Sequence, residues 1–144
     1  MKSRSGTAKK QVLSRYLKEI YDTRLASFAR HRYLAIMLRG EYPYVADAFD
    51  MLAMSDAETF AELGALLTHL GTDPTLDVRV RLRGFGGGNI DRIISDELER
   101  LRGEVDDIVR IYSLTDAAET LEKVEKMRLE TSENVRLFER MLLS

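Results

Sequence analysis

The chain of 144 residues has no cysteine and no tryptophan. Without thiols there can be no disulfide, thiolate metal site or cysteine nucleophile. That usage suits a reducing compartment, and the expectation is a cytoplasmic protein. Proline occurs only at Pro43 and Pro74, outside every predicted helix interior. No run approaches the roughly 18 apolar residues that a membrane-spanning helix needs. No apolar run follows the N-terminal basic residues, so no secretory leader is expected. Charge of one sign is also missing: 22 Lys plus Arg face 24 Asp plus Glu, a net of −2. That balance gives no overall pull toward nucleic acid. The two histidines, His31 and His69, fall on different predicted helices with no marked nucleophile beside them. Triad catalysis is therefore not supported.

What is present is helical periodicity. Residues 1–8 are small, polar and basic, and are expected to form a disordered tail ahead of one domain over 9–144. A first helix is predicted over 8–38, with Leu13, Leu17, Ile20, Leu25, Phe28 and Ile36 as its apolar face. Arg24, Arg30 and Arg32 interrupt that face and are read as snorkelling. Arg39-Gly40 suits a left-handed cap, and Pro43 suits the first turn of a second helix over 43–70. Gly71 and Pro74 stop that helix. Val78, Val80 and Leu82 then alternate with arginines, an extended signature, and Gly86, Gly87 and Gly88 form a flexible joint. Asn89 caps a third helix over 90–113, whose seam is Ile94, Leu98, Leu101, Val105, Ile108 and Tyr112. Thr115 or Asp116 caps a fourth helix reaching Leu143. Met37, Met51, Met54, Met127 and Met141 are read as core filler.

Connection lengths set the topology. The second helix spans about 42 Å. The tight links at 39–42 and 113–116 join neighbouring helices at one end. The connector at 71–89 reaches about 60 Å when extended, enough to run back along the bundle. Two antiparallel hairpins joined by one long crossover is the ferritin-like four-helix arrangement.

Two seams repeat. The second helix buries Val45, Phe49, Leu52, Asp56, Thr59, Leu63, Leu66 and Leu70. The fourth buries Leu121, Val124, Arg128, Thr131, Val135, Phe138 and Leu142. They match at an offset of 72, polar pair on polar pair. The frame from Phe49 to Thr59, closed by Leu70-Gly71-Thr72-Asp73-Pro74, resembles the ferritin-like superfamily. It is most similar to the rubrerythrin, manganese-catalase and spore-coat branch. That branch carries apolar–x–x–Ile–Ala–x–x–Glu–x–x–His here, followed by Leu-Gly-Gly-Asp-Pro. The resemblance implies a dimetal site built from one Glu on each of helices one and three and a Glu-x-x-His on helices two and four.

The departures from that pattern are informative. The two Glu-x-x-His slots read Asp56…Thr59 and Arg128…Thr131. The inward positions on helices one and three fall near Leu25-Ala26 and at Val105. A guanidinium does not bind a cation. The expectation is therefore a degenerate site with no cofactor, its place taken by a polar cluster of Asp56, Thr59, Arg128 and Thr131. Asp56 and Arg128 would pair at matched depth. The alternative is iron or manganese held by rearranged ligands, Asp56, Glu58, Glu130 and Glu133, with Glu104, Asp106 and Asp107 nearby. Such carboxylates also look like ordinary solvated helix faces.

Three functions follow from these readings. One is a metal-free bundle acting as a structural or protein-interaction module, a homodimer with a possible protein partner, contacting through Tyr42, Tyr44 and Phe85. The second is a dimetal redox enzyme or metal-storage protein. The third is a small-ligand site in the core.

Overall fold

The computed structural model describes residues 4–75 and 89–143. Four helices account for nearly all of them: α1 Arg4–Leu38, α2 Pro43–His69, α3 Ile90–Ile111 and α4 Ala118–Leu143. α1 packs along α2 and α3 along α4, giving two hairpins. α2 and α4 touch more lightly, and the α1 and α3 backbones scarcely approach each other. The fold is an all-α four-helix bundle. The sequence readings at 78–83, at the glycine run 86–88 and at Phe85 lie outside the described residues.

The helix ends follow from local chemistry. Pro43 opens α2, where its missing N–H costs nothing. Gly71 closes α2 at φ +79, with Thr72 N–H bonded to Leu67 O at 2.9 Å and Gly71 N–H to Thr68 O at 3.0 Å. This is the Schellman closure that a Cβ would strain. The Asn89 side chain accepts from Asp91 N–H at 2.9 Å and caps α3. Ahead of α4, Thr115 Oγ1 accepts from Ala117 N–H at 3.2 Å. Two expectations need correcting here. α1 already begins at Arg4, so residues 4–8 are helical and not a coil tail. Gly40 does not take the left-handed conformation; the chain turns there through bonds from Glu41 and Tyr42 to Leu38 O.

The inward seams of the helices run largely in steps of three and four. On α2 the seam is Phe49, Leu52, Asp56, Thr59, Leu63 and Leu66, with Ala46, Ala48, Ala53 and Leu67 buried beside it. α1 keeps a seven-residue step through Leu17, Arg24, His31 and Leu38. This corrects the α1 face read from the sequence: Ile36 is 70 % exposed and Leu25 and Phe28 are only partly covered. Choosing positions for apolarity drifted off the true seam onto the flanking turn. α4 buries Val124, Met127, Thr131 and Phe138. Met127, one step of three past Val124, takes the core place expected for Arg128. Among the other methionines expected as filler, Met37, Met51 and Met54 are exposed.

Two apolar clusters result. One contains Leu34, Leu38, Phe49, Leu52, Ile94, Leu98, Leu101 and Phe138, with Phe49 and Phe138 edge to face at 5.4 Å. The other contains Leu13, Leu17, Tyr21, Leu63, Leu66, Ile108, Ile111, Val124 and Met127. Between them lies a layer of buried polar side chains.

Candidate functional site: a buried acid–base belt

That middle layer is built by all four helices. α1 supplies Arg24, Ser27 and His31; α2 supplies Asp56 and Thr59; α3 supplies Glu97; α4 supplies Thr131. All seven are buried. Glu104, a further seam position on α3, borders the layer with its side chain 16 % exposed. The seam spacing places them there. On α3, Ile94, Glu97, Leu101, Glu104, Ile108 and Ile111 alternate steps of three and four, so the two glutamates share the apolar face.

His31 is the hub. Its Nδ1 lies 2.6 Å from Asp56 Oδ2 and its Nε2 lies 2.5 Å from Glu97 Oε1. A neutral imidazole donates from one nitrogen only, whereas the imidazolium donates from both. With a carboxylate on each side, the ring is the cation. Burial alone would push its pKa down. The bonds to Asp56 and Glu97, and their charge, carry it up to about 9. Burial likewise pushes the Glu97 carboxyl up, but the bond from His31 and the charges of His31, Arg30 and Arg100 hold it below the usual range. Arg30 Nη2 reinforces Glu97 at 3.0 Å.

Arg24 is the second internal cation. Its Nη1 donates to Asp56 Oδ1 at 3.1 Å and its Nη2 to Thr131 Oγ1 at 3.2 Å. Nη1 also stands 3.5 Å from Glu104 Oε2, an oxygen that is buried and accepts no hydrogen bond. Burial, with like charge from Asp56 and Glu97, raises the Glu104 pKa against the pull of Arg24. Isolated charges at this depth would be very costly; here each carboxylate faces a guanidinium or an imidazolium.

The expected Asp56–Arg128 couple does not form. Asp56 is 1 % exposed and bonded to Arg24 and His31. Arg128 lies partly exposed on the flank of α4, bonded to Glu125, which also takes the Tyr112 hydroxyl. Arg128 and then Tyr112 pull the Glu125 carboxyl down to about 2. Asp56, Thr59 and Thr131 do occupy the core, but their cations come from α1. Arg24 is not snorkelling; it is 3 % exposed. Sequence reasoning missed Arg24, His31 and Glu97 as site residues, and named Glu104 only as a neighbour of the alternative metal site. On α1 the seven-residue step from Leu17 to Leu38 would have found Arg24 and His31; on α3 the expected seam kept regular steps but took Leu98 and Val105, one position from Glu97 and Glu104.

The arrangement does not suit a pair of open metal ions. Both Asp56 oxygens are taken, by Arg24 and His31, and Glu97 is taken by His31 and Arg30. A cation would have to expel a guanidinium and an imidazolium from their carboxylates. The rearranged set does not assemble either: Glu58 and Glu133 are exposed while Asp56 is buried. Among the described residues no group of three or more His, Cys, Asp or Glu could hold a metal ion. Among them, too, no helix is long and apolar enough to cross a membrane.

No protein-family model and no curated protein matches the sequence. Among solved structures, the chain is similar to a bacterioferritin from Desulfovibrio desulfuricans, described with a diiron site in different catalytic states. The TM-score is 0.83 at 12 % identity, covering 99 % of this chain and 83 % of that one. This corrects the expectation of no cofactor: the matched bundle is that of a diiron protein, so the fold does not support that absence as a conclusion. The belt geometry and the neighbour's diiron site point in opposite directions, and the chain's cofactor status stays unassigned. What the likeness establishes is architecture: this chain has the ferritin-like four-helix fold.

Proposed function

We propose that the chain is a structural or protein-interaction module on the ferritin-like fold, pairing with a second copy of itself through the outer face of α1 and α2. The Leu70-to-Pro74 ending of α2, which resembles that of the rubrerythrin, manganese-catalase and spore-coat branch, supports a kinship with that branch as part of this reading.

The observation that carries the reading is an exposed apolar stripe. On α2, Tyr44, Met51 and Met54 are 88 %, 56 % and 66 % exposed and fall at helical steps of seven and three. Ile36 joins them from α1. Arg32 and Arg39, which flank Ile36 on its own face, bond Asp50 and Asp47 on α2. Asp47, held by Arg39, lies between Tyr44 and Met51, so apolar side chains alternate with ion pairs, a composition that suits an association surface. Of the contact residues read from the sequence, Tyr44 lies on this strip, whereas Tyr42 is packed against the core. The belt supports a structural role: its His31 is 1 % exposed, so the one imidazolium held between carboxylates is shut off from substrate.

Sedimentation equilibrium tests the reading. The native chain is expected to run as a dimer at micromolar concentration, and Met54→Asp as a folded monomer with unchanged helix content. A native chain that is monomeric at the highest soluble concentration would remove the proposal.

A further inference from the structure

We propose that the cleft between α1 and α3 is a binding site for a short aliphatic diamine. The cleft arises because these two helices scarcely approach. It encloses about 250 Å³ and is lined by one face of α1, Tyr16, Glu19, Ile20, Thr23 and Arg24, and by Glu104, Asp107, Ile108 and Arg110 of α3. Its depth differs in character from its mouth. At the inner end Glu104 Oε2 is buried with no hydrogen-bond donor. A buried acceptor left unmade is costly, so the site is short of one donor. The nearest cation, Arg24, stands 3.5 Å away as an ion pair but gives its hydrogen bonds to Asp56 and Thr131.

Ile20 and Ile108 form the walls, which suit methylenes and not a second polar group. At the mouth stand Glu19 and Asp107, both exposed. Asp107 has Arg110 at 3.7 Å, whereas among the described residues Glu19 has no ion-pair partner. The lining thus presents three carboxylates against two guanidiniums, and both guanidiniums are engaged. The complementary ligand carries an ammonium group at each end of a short hydrocarbon chain. One ammonium would donate to Glu104, the methylenes would lie between the isoleucines, and the other ammonium would face Glu19, with the Tyr16 ring at the rim for cation–π contact. An anion would meet Glu104 and Glu19 instead and is disfavoured.

Isothermal titration of the full chain with putrescine, the four-carbon diamine, tests this, with butylamine, butanol and succinate as comparators. One putrescine per chain is expected. Butylamine, lacking the outer charge, should bind about tenfold or more weakly, with butanol and succinate weaker still. Glu104→Gln should cost about tenfold or more. Thr23→Phe, an exposed change that narrows the mouth without touching the belt, should abolish binding while circular dichroism shows the native helix content. The proposal is overturned if the folded native chain shows no heat with putrescine, if succinate binds as tightly, or if Thr23→Phe binds like the native chain.

Discussion

His31 gains its proton affinity from Asp56 and Glu97, and only the folded chain provides that gain. Its pKa moves from 6.5 to about 9 on folding. Between those values the native state holds more protons than the unfolded chain, so stability falls as pH rises. The contribution is complete below about 6.5 and gone above about 9, with an upper size of about 3 kcal/mol. Urea midpoints should therefore drop steadily from about pH 6 to about pH 9, and His31→Gln should remove most of the slope; a native chain with level midpoints over that window contradicts the assignment. Arg24, expected to snorkel, and Arg128, expected to pair with Asp56, exchange places: Arg24 is the buried partner and Arg128 lies on the flank. Arg24→Met strands Asp56 Oδ1 in the core and should cost on the order of 3–5 kcal/mol. Arg128→Ala touches only partly exposed contacts with Glu125 and Tyr112 and should cost far less than Arg24→Met. Equal losses for the two variants in thermal melts would place the internal cation wrongly.

Among elements, glycine tests how tightly the helices are set. In α3, a Cβ at Gly103 would meet nothing within 4 Å. Gly103→Ala should then stabilise by about 0.5–1 kcal/mol through helix propensity alone. In α2, a Cβ at Gly64 would meet Tyr21 Cε2 at 3.3 Å. Tyr21 has little room to yield: its ring stacks on Phe60 at 4.2 Å and its hydroxyl donates to Pro74 O at 3.0 Å. Gly64→Ala should gain clearly less than Gly103→Ala, or lose; the reverse order in denaturant melts would show α1 and α2 to be looser than described. Helices of this length were readable from the sequence because Pro43, Gly71 and Asn89 mark their ends and the apolar steps between them are regular. The middle of the α2 seam, Phe49 to Leu66 with Asp56 and Thr59, came through, since its polar residues are flanked by strong apolar ones, whereas its ends Val45 and Leu70 are only half-buried. The α1 face did not come through. With arginines every few residues, apolarity is a poor guide, and only the seven-residue spacing of Leu17, Arg24, His31 and Leu38 reveals the inward face. Glu97 was hidden in the same way, and Glu104 was visible only as one of several α3 carboxylates, because a glutamate on a seam looks like any glutamate until its partner, one hairpin away, is known.

For the whole molecule, the belt's bonds cross between hairpins: Arg24 to Thr131, Arg30 to Glu97 and His31 to Glu97 each tie α1 to the α3–α4 half. The apolar packing on either side is divided by this layer. Phe49, Leu52 and Phe138 lie on one side and Leu63, Leu66 and Met127 on the other. A side chain removed from one oily lobe leaves a hole that the far lobe has no contact with which to sense. Leu52→Ala and Leu63→Ala, about 2–5 kcal/mol each, should therefore sum when combined, whereas Leu63→Ala with Met127→Ala, inside one lobe, should not. Only eleven residues separate the first pair in the chain, yet the bundle treats them as belonging to two small interiors stacked end to end, insulated from each other by a salt-like partition.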